Sequence, residues 1–352
     1  MSLLDPQDDA SLLLPDSCGG QATGLPLMRV RNLRVEFPVR GQGTLTAVDG
    51  VDLDVNEGEI LGLVGESGCG KTVLSLSLLR LIEKPGRIKS GQVLWNGRNL
   101  LGYDEAEMRS VRGRQIAMIF QNPQASLNPV HSVGGQLVAI SRLHQHLSPY
   151  EARAEALRLL KLVQIPDPER AMSSFPHQFS GGMCQRIMIA MALSCRPRLL
   201  IADEPTSSLD VTVQAQIMDL LLRIRDEFGM AILLVSHDLG VIARMCDRIA
   251  VMYLGRIVES AGAIALYSSP KHPYTQALLQ SVPVPDPTRR GKQASLPGDV
   301  PSAIQIPTGC RFRTRCSLAF DRCVDIDPSL LAVNGTSHSA ACLLYERPET
   351  KS

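Results

Sequence analysis

The feature that most limits what this chain can fold into is a glycine-rich segment, the phosphate loop, which matches the pattern G-x-x-x-x-G-K-[ST]. It comprises Gly65, Glu66, Ser67, Gly68, Cys69, Gly70, Lys71 and Thr72. A short apolar run at 59–64, typical of a buried strand, precedes it, and a stretch typical of a helix, 71–82, follows it. A strand, a loop of this pattern and a helix in succession predict a site for the phosphates of a nucleotide.

The chemistry predicted for this loop depends on its backbone and on two side chains. Because glycine tolerates tight curvature, successive N–H groups can point at phosphate oxygens, and the N-terminus of the following helix adds a favourable dipole. Lys71 supplies a positive charge for the β- and γ-phosphates of ATP, and Thr72 supplies a hydroxyl ligand for Mg²⁺. The loop residues that we assign to ATP binding besides these two are Gly65, Ser67, Gly68, Cys69 and Gly70.

A second, acidic element supports a nucleotide triphosphatase. The apolar run 199–202 ends in Asp203 and Glu204, which places two carboxylates at the carboxyl edge of a sheet, where α/β proteins bind ligands. Asp203 is predicted to hold Mg²⁺. Glu204 is predicted to act as general base on the attacking water, because that water must lose a proton as phosphorus is attacked. Without the phosphate loop, such an acidic pair would not indicate a catalytic site, because strands often end in acidic residues.

The bulk composition favours a globular protein with no nucleic-acid partner. Lys and Arg number 36 against 35 Asp and Glu, for a net charge of +1, whereas proteins that bind nucleic acid through its phosphates usually carry a basic excess or stripe. No apolar run reaches the roughly 18–20 residues that span a bilayer, and residues 1–26 lack the pattern of a signal peptide. The sequence therefore predicts a cytoplasmic chain that meets a membrane only through partners.

Four of the nine cysteines form a group near the C-terminus. Cys310, Cys316, Cys323 and Cys342 have the spacing C-x5-C-x6-C-x18-C. A reducing cytoplasm disfavours disulfides, and the intervals lack the C-x2-C pair common in structural zinc sites. Ligation by thiolates alone fits an iron–sulfur cluster, with zinc, and His338 as a spare ligand, as the alternative. Either metal is predicted to be structural, because it would hold together a tail with little core of its own.

One further motif narrows the class of protein. The signature, residues 179–186 (Phe-Ser-Gly-Gly-Met-Cys-Gln-Arg), resembles that of ATP-binding-cassette (ABC) proteins, usually Leu-Ser-Gly-Gly-x-x-Gln-Arg. Phe179 departs from the family at a position that packs rather than contacts phosphate. The resemblance implies that signature residues close the ATP site of a facing cassette, so that one chain cannot complete a site. Those assigned to this role are Ser180, Gly181, Gly182 and Gln185.

Other landmarks follow in the family's order, and their roles are what the resemblance implies. Gln121 resembles the glutamine that senses the γ-phosphate and the metal. Asp210 belongs to a loop, 208–210, that crosses the dimer interface. His237 resembles the histidine that contacts the γ-phosphate, which places it with Gln121 and Glu204 among the catalytic residues. Phe37 is the candidate for stacking on adenine, with a place in the core as its alternative.

Three short motifs resemble the peptide/nickel importer branch of that family: Ser-Leu-Asn-Pro at 126–129, Asp-Val-Thr-Val-Gln-Ala-Gln at 210–216 and His-Pro-Tyr-Thr at 272–275. The tail around Cys310 and Cys316 resembles it as well, and members with similar tails carry a [4Fe-4S] cluster. The resemblance is to the first of the two ATPases of dipeptide and oligopeptide systems. It implies a paralogous second ATPase, two permeases and an extracytoplasmic peptide-binding protein as partners, at the cytoplasmic face of a bacterial inner membrane.

The predicted fold class is α/β, an ABC P-loop NTPase with a mixed-sheet core, an inserted helical subdomain at about 122–195 and a small metal-bound C-terminal extension. The predicted divisions are a flexible tail at 1–27, an ATPase domain at 28–286 and an extension at 287–352. Nickel, opines or other small solutes are alternative cargoes. A soluble ABC ATPase that acts on DNA or ribosomes is the alternative from another class, and a single cassette with a cysteine-bearing tail disfavours it.

Overall fold

The computed structural model of the chain describes residues 25–207, 209–281, 298–299 and 301–346. Most of the predicted N-terminal tail, Ser208 of the predicted interface loop and the predicted boundary near 286 lie outside the described residues. Residues 301–346 are called the C-terminal segment below.

Strands and helices alternate through the described residues. The strands are β1 (Met28–Val39), β2 (Gly43–Val55), β3 (Ile60–Val64), β4 (Arg87–Trp95), β5 (Arg98–Asn99), β6 (Ile116–Ile119), β7 (Leu199–Asp203), β8 (Ala231–Ser236), β9 (Arg248–Tyr253), β10 (Arg256–Gly262), β11 (Leu331–Ala332) and β12 (Ser339–Ala340). The helices are α1 (Lys71–Leu78), α2 (Glu105–Val111), α3 (Pro123–Ser126), α4 (Val133–Gln145), α5 (Pro149–Leu162), α6 (Pro168–Ala171), α7 (Gly181–Leu193), α8 (Val211–Phe228), α9 (Leu239–Met245), α10 (Ala263–Ser268), α11 (Pro273–Gln280) and α12 (Arg322–Asp325).

The central sheet is mixed, as predicted. Its strand order is β11-β12-β10-β9-β3-β8-β7-β6, in which β9, β3, β8, β7 and β6 are parallel and β10 is antiparallel to β9. Every residue of β3, β7 and β8 is buried, as expected where both faces of a parallel sheet are covered. In β3, Ile60 and Val64 pack into one core and Leu61 and Leu63 into the other, because successive side chains point to opposite faces.

A smaller antiparallel sheet, of order β2-β1-β4-β5, shares a core with Leu61 and Leu63 of β3. Its strand β1 contains a bulge, since the pairing with β2 shifts between Val30 and Leu33 and Asn32 adopts φ 46°. The extra residue keeps both Val30 and Leu33 on the buried face although they lie three positions apart.

Helix α1 is shorter than the predicted stretch 71–82, because it ends at Leu78. Arg80 takes the left-handed conformation with φ 53°. The N–H of Arg80 then donates to Ser77 O at 3.0 Å and the N–H of Leu81 to Leu76 O at 2.9 Å. This pair of bonds is the Schellman termination, which satisfies the last carbonyls of a helix. Arginine is an uncommon residue at its left-handed position, so the sequence did not reveal it.

Helices α3–α7 lie between β6 and β7 in the chain. Ser148 and Glu151 form a capping box at the start of α5, and Pro149 occupies its first turn, where proline needs no hydrogen-bond donor. The buried face of α5 includes Ala152, Ala156 and Leu159, at helical spacing, and the helix contacts α4 and α7. Packing of this kind places the N-terminus of α7, which carries the signature.

The C-terminal segment is joined to the central sheet, because its strand β12 pairs with β10. Glu259 of β10 is fully buried and accepts hydrogen bonds from the backbone N–H groups of Lys271 at 2.6 Å and His272 at 2.9 Å. Nε2 of His338 lies 2.6 Å from Oε1 of the same carboxylate. His338, the spare ligand of the zinc alternative, is therefore engaged with Glu259.

Candidate functional site

The phosphate loop joins β3 to α1, as its pattern predicts. Gly70 has φ 110°, and a Cβ there would lie 2.2 Å from the carbonyl oxygen of Ala47. Gly65 is equally confined, because its Cβ would lie 2.2 Å from the carbonyl oxygen of Met252. A side chain at either position would displace the neighbouring backbone, so the curvature of this loop depends on glycine.

Lys71 lies in the first turn of α1 with its ammonium group folded back over the loop. Nζ donates to the carbonyl oxygens of Gly65 at 2.7 Å and Glu66 at 3.0 Å. These two hydrogen bonds hold the positive charge of Lys71 beside the first two residues of the phosphate loop. A phosphate bound by the loop's N–H groups would meet this charge directly.

Thr72 and Asp203 converge although 131 residues separate them. The Thr72 hydroxyl donates to Asp203 Oδ1 at 3.3 Å, and Asp203 is only 2% exposed. Burial raises the pKa of the Asp203 carboxyl, while the Thr72 hydrogen bond opposes that rise. A hydroxyl and a carboxylate are hard oxygen ligands of the kind that Mg²⁺ prefers, so the pair fits the metal role predicted for both residues.

Glu204 follows β7 directly and is the centre of a polar triad. Its backbone is left-handed, with φ 47°, and its N–H donates to Val235 O at 2.9 Å. Gln121 Nε2 donates to Glu204 Oε2 at 3.0 Å, and His237 Nδ1 lies 3.2 Å from Glu204 Oε1. The structure thus brings together the three residues that the sequence proposes as catalytic, from the ends of β6, β7 and β8.

A cavity of about 550 Å³ adjoins the phosphate loop and two members of the triad. Phe37, the adenine candidate, lines it, and so do Gln121 and Glu204. Its other lining residues are Leu45, Thr46, Ala47, Ser67, Gly68, Cys69, Gly70, Lys71, Thr72, Val73, Leu254, Gly255 and Ala303. Leu45, Thr46 and Ala303 were not predicted, because no motif marks them and only the packing of β2 and the C-terminal segment brings them to the wall.

The signature lies at the start of α7, outside the described lining of this cavity. Ser180 caps the helix by accepting from the Met183 N–H at 3.3 Å. A Cβ on Gly182 would lie 2.8 Å from Val213 Cγ1, which brings the signature beside the start of α8. Asp210 caps α8 by accepting from the Val213 N–H at 3.0 Å. Gly182 of the signature and Asp210 of the predicted interface loop therefore lie beside the same end of α8.

Gln185 is placed differently from the other signature residues. It is 1% exposed, and its Nε2 has no hydrogen-bond partner among the described residues. The next residue, Arg186, is also buried and donates to Val163 O at 2.9 Å and Gln216 Oε1 at 2.9 Å. In this conformation Gln185 faces the protein interior and not a neighbouring cassette, so its predicted contact with nucleotide would need α7 to move.

The four C-terminal cysteines line one small cavity of about 10 Å³. Its wall also contains Phe312, Phe320 and Leu343. Burial raises the pKa of the Cys342 thiol to about 11 and also raises the pKa values of Cys310 and Cys316. No group of three or more His, Cys, Asp or Glu in the described residues is spaced to hold a single metal ion.

The fold and the site together define an ABC-type ATPase. Residues 48–207 match the family model "ABC transporter", and residues 258–323 match "Oligopeptide/dipeptide transporter, C-terminal region". The chain belongs to the ATP-binding proteins of ABC transporters, in the branch that carries this C-terminal region, which confirms the resemblance noted in the sequence. None of the described helices is long and apolar enough to cross a membrane.

Curated relatives cover nearly the whole chain. "Probable peptide ABC transporter ATP-binding protein y4tR" of Sinorhizobium fredii is 50% identical over 90% of this chain and 94% of its own length. The dipeptide transport ATP-binding protein DppD of Escherichia coli is 45% identical over 87% of this chain and 93% of its own. The oligopeptide transport ATP-binding protein AppD of Bacillus subtilis is 43% identical, with coverages of 91% and 97%.

Solved structures of similar fold include a dimeric ATP-binding cassette, MJ0796, in a post-hydrolysis state bound to ADP and phosphate. It is 26% identical and superposes with a TM-score of 0.61 over 67% of this chain and 98% of its own. A second dimeric structure of the same cassette is 28% identical, with a TM-score of 0.60. Cassettes of this fold are thus known to form dimers.

Proposed function

We propose that this chain binds and hydrolyses ATP to drive the import of dipeptides or oligopeptides across a bacterial inner membrane, at whose cytoplasmic face it is attached. The observation that carries the proposal is the convergence of Gln121, Glu204 and His237 beside the phosphate loop, in a chain whose C-terminal region matches that of oligopeptide and dipeptide transporters. Nickel, opines and other small solutes are the alternative cargoes for the same machinery.

The residues of the site would divide the work as follows. Lys71 and the loop N–H groups bind the phosphates, and Thr72 with Asp203 holds Mg²⁺, which neutralises phosphate charge when bound. Glu204 takes a proton from the attacking water. Gln121 and His237, at 3.0 and 3.2 Å from its two oxygens, orient that carboxylate. Phe37, on the cavity wall, stacks on adenine.

The position of the signature supports a paired assembly. Ser180, Gly181 and Gly182 lie outside the described lining of the chain's own ATP cavity, so they are free to close the site of a facing cassette. We propose that the facing cassette is a paralogous ATPase, and that the pair sits beneath two permeases served by an extracytoplasmic peptide-binding protein. Nucleic acid is not among the proposed partners.

Uptake measurements test the cargo. In a strain that lacks this gene, uptake of labelled dipeptides and tripeptides is expected to fall to background. The wild-type gene should restore it and Lys71→Ala should not, since that variant loses the charge that binds phosphate. Parallel assays of nickel and opine uptake act as controls. If the deletion strain takes up peptides normally but loses nickel or opine uptake, that solute and not a peptide is the cargo.

We further propose that Cys310, Cys316, Cys323 and Cys342 hold a [4Fe-4S] cluster. One observation supports the proposal: all four thiols line the same small cavity of the C-terminal segment. Burial raises the pKa values of Cys310, Cys316 and Cys342, so binding of the cluster would have to release the protons of these thiols. The cluster, when bound, supplies a cross-link between distant parts of the C-terminal segment.

Metal analysis of anaerobically purified protein tests this cross-link. We expect a brown protein with about four irons and four sulfides per chain. Serine at any one of the four positions should remove the colour and make the C-terminal segment sensitive to protease. Cys195→Ser, at a cysteine outside the group, is the control and should keep both properties. One zinc without iron would refute the cluster but keep the cross-link, and a metal-free, protease-resistant segment would refute both.

A further inference from the structure

An ion pair links the C-terminal segment to the phosphate loop. Arg315 donates from Nη1 and Nη2 to the two carboxylate oxygens of Glu66, at 2.7 and 2.9 Å. Glu66 is the second residue of the phosphate loop, and 249 positions separate it from Arg315. The Arg315 side chain is 3% exposed and that of Glu66 is 23% exposed. A bidentate ion pair with so little solvent access fixes both the distance between Arg315 and the loop and the orientation of the Glu66 side chain.

The backbone of Glu66 is held by the same part of the protein. Its N–H donates to the hydroxyl of Tyr274 at 2.9 Å. The ring of Tyr274 packs against Tyr253 and against Phe312, with ring centroids 4.6 and 5.4 Å apart. Phe312 and Arg315 both lie between Cys310 and Cys316. One short stretch of the C-terminal segment therefore supports Glu66 at its side chain and, through Tyr274, at its peptide group.

The supported residue in turn places the phosphate-binding charge. The carbonyl oxygen of Glu66 accepts from Lys71 Nζ at 3.0 Å. If the peptide at Glu66 rotates, both this acceptor and the direction of the neighbouring loop N–H groups change. Because the loop binds phosphate through those groups, its affinity for ATP depends on how well it is organised before ATP arrives.

We propose that Arg315 is a positioning residue for ATP binding, which acts through Glu66 and makes the ATP affinity of the phosphate loop depend on the C-terminal segment. The inference rests on the proposed ATP binding at this loop but not on the transported solute. Arg315 is not among the residues described on the wall of the cavity beside the phosphate loop, so its effect is expected on binding and not on the chemical step.

Arginine is the residue that suits this role. Its planar guanidinium matches a carboxylate with two parallel bonds, whereas a lysine ammonium makes a single-point contact. The Glu66 carboxylate raises the pKa of Arg315, so the positive charge is secure at any physiological pH. The guanidinium also lies 5.9 Å from the centroid of the Tyr253 ring, within reach of a cation–π contact.

The test compares Arg315→Ala with Arg322→Ala. Both arginines directly precede a cysteine of the group, but Arg322 is exposed and its described ion pair is with Glu346, at 4.0 Å. For Arg315→Ala we expect the Kd of the isolated chain for a fluorescent ATP analogue, and the KM for ATP of the assembled transporter, to rise roughly tenfold, as is usual for coupled sites. The kcat should change by less than about twofold. Arg322→Ala should alter neither quantity.

Two further variants separate positioning from folding. Glu66→Gln keeps the shape and should raise the KM in the same direction, and Arg315→Lys should give an intermediate value. The double variant with Glu66→Gln and Arg315→Ala should bind ATP no more weakly than the weaker of the two single variants, because both substitutions disrupt the same ion pair. Unchanged ATP affinity in Arg315→Ala and Glu66→Gln would overturn the proposal. The proposal would also be overturned if the variants lowered only kcat, or if the losses of ATP affinity in the two single variants added up in the double variant.

Discussion

Replacing Glu204 by Gln is expected to lower the kcat of ATP hydrolysis by about 10²–10⁴-fold, the range that a positioned general base contributes, while ATP stays bound. The carboxylate is held between Gln121 and His237 on the wall of the ATP cavity. An amide has the same size and can keep a hydrogen bond to each neighbour, but it cannot accept the proton of the attacking water. The phosphate loop and the Thr72–Asp203 pair are untouched, so ground-state binding should survive.

The measurement is single-turnover and steady-state hydrolysis in the assembled transporter, together with the Kd for ATP. Lys71→Ala provides the contrast, because it removes the charge that meets the phosphates and should abolish tight binding instead of the chemical step. Glu227→Gln makes the same change at an exposed position of α8 and should leave both quantities unchanged. Normal turnover in Glu204→Gln would refute the assignment of Glu204 as the base.

Much of this site could be predicted from sequence because its chemistry is tied to local patterns. The phosphate loop requires glycines where a Cβ would strike the carbonyls of Ala47 and Met252, and that requirement is visible as a motif. The triad residues each follow an apolar strand. The carboxyl ends of neighbouring parallel strands share one edge of the sheet, and the strand pattern places Glu204 at that edge. Gln121 and His237 are assigned by the resemblance to the ABC family, and the structure brings both to the same edge.

Contacts that depend on packing between distant segments could not be predicted in that way. Arg315 and Glu66 belong to no common motif, and their pairing follows from how β12 joins β10 and how Phe312 packs on Tyr253 and Tyr274. The burial of Gln185 could not be predicted either, because the helical pattern of α7 does not indicate which of its faces packs inward. Sequence patterns report local geometry and chemistry, whereas these contacts are set by tertiary structure.

The isolated chain is expected to hydrolyse ATP at least about 10²-fold more slowly than the assembled transporter, the loss usual when a group that stabilises transition-state charge is missing. The missing groups are those of a facing signature. In this chain Ser180 and Gly182 lie at the N-terminus of α7, outside the described lining of its own ATP cavity. A helix N-terminus of this kind can bind a phosphate, so in the proposed pair each site receives the α7 N-terminus of its neighbour.

Addition of the partner ATPase and the permeases should restore turnover, with a steep dependence on chain concentration because assembly precedes hydrolysis. Ser180→Ala in this chain should leave its own Kd for ATP unchanged and lower turnover only in the complex, at the site that its signature closes. Ser173→Ala, outside the signature, removes a hydroxyl that donates to Arg170 O at 3.0 Å and serves as the control. Full turnover by a monomer, at a specific rate independent of concentration, would contradict a shared site. A Ser180→Ala chain that binds ATP poorly on its own would contradict it equally, because the signature would then act within its own cassette.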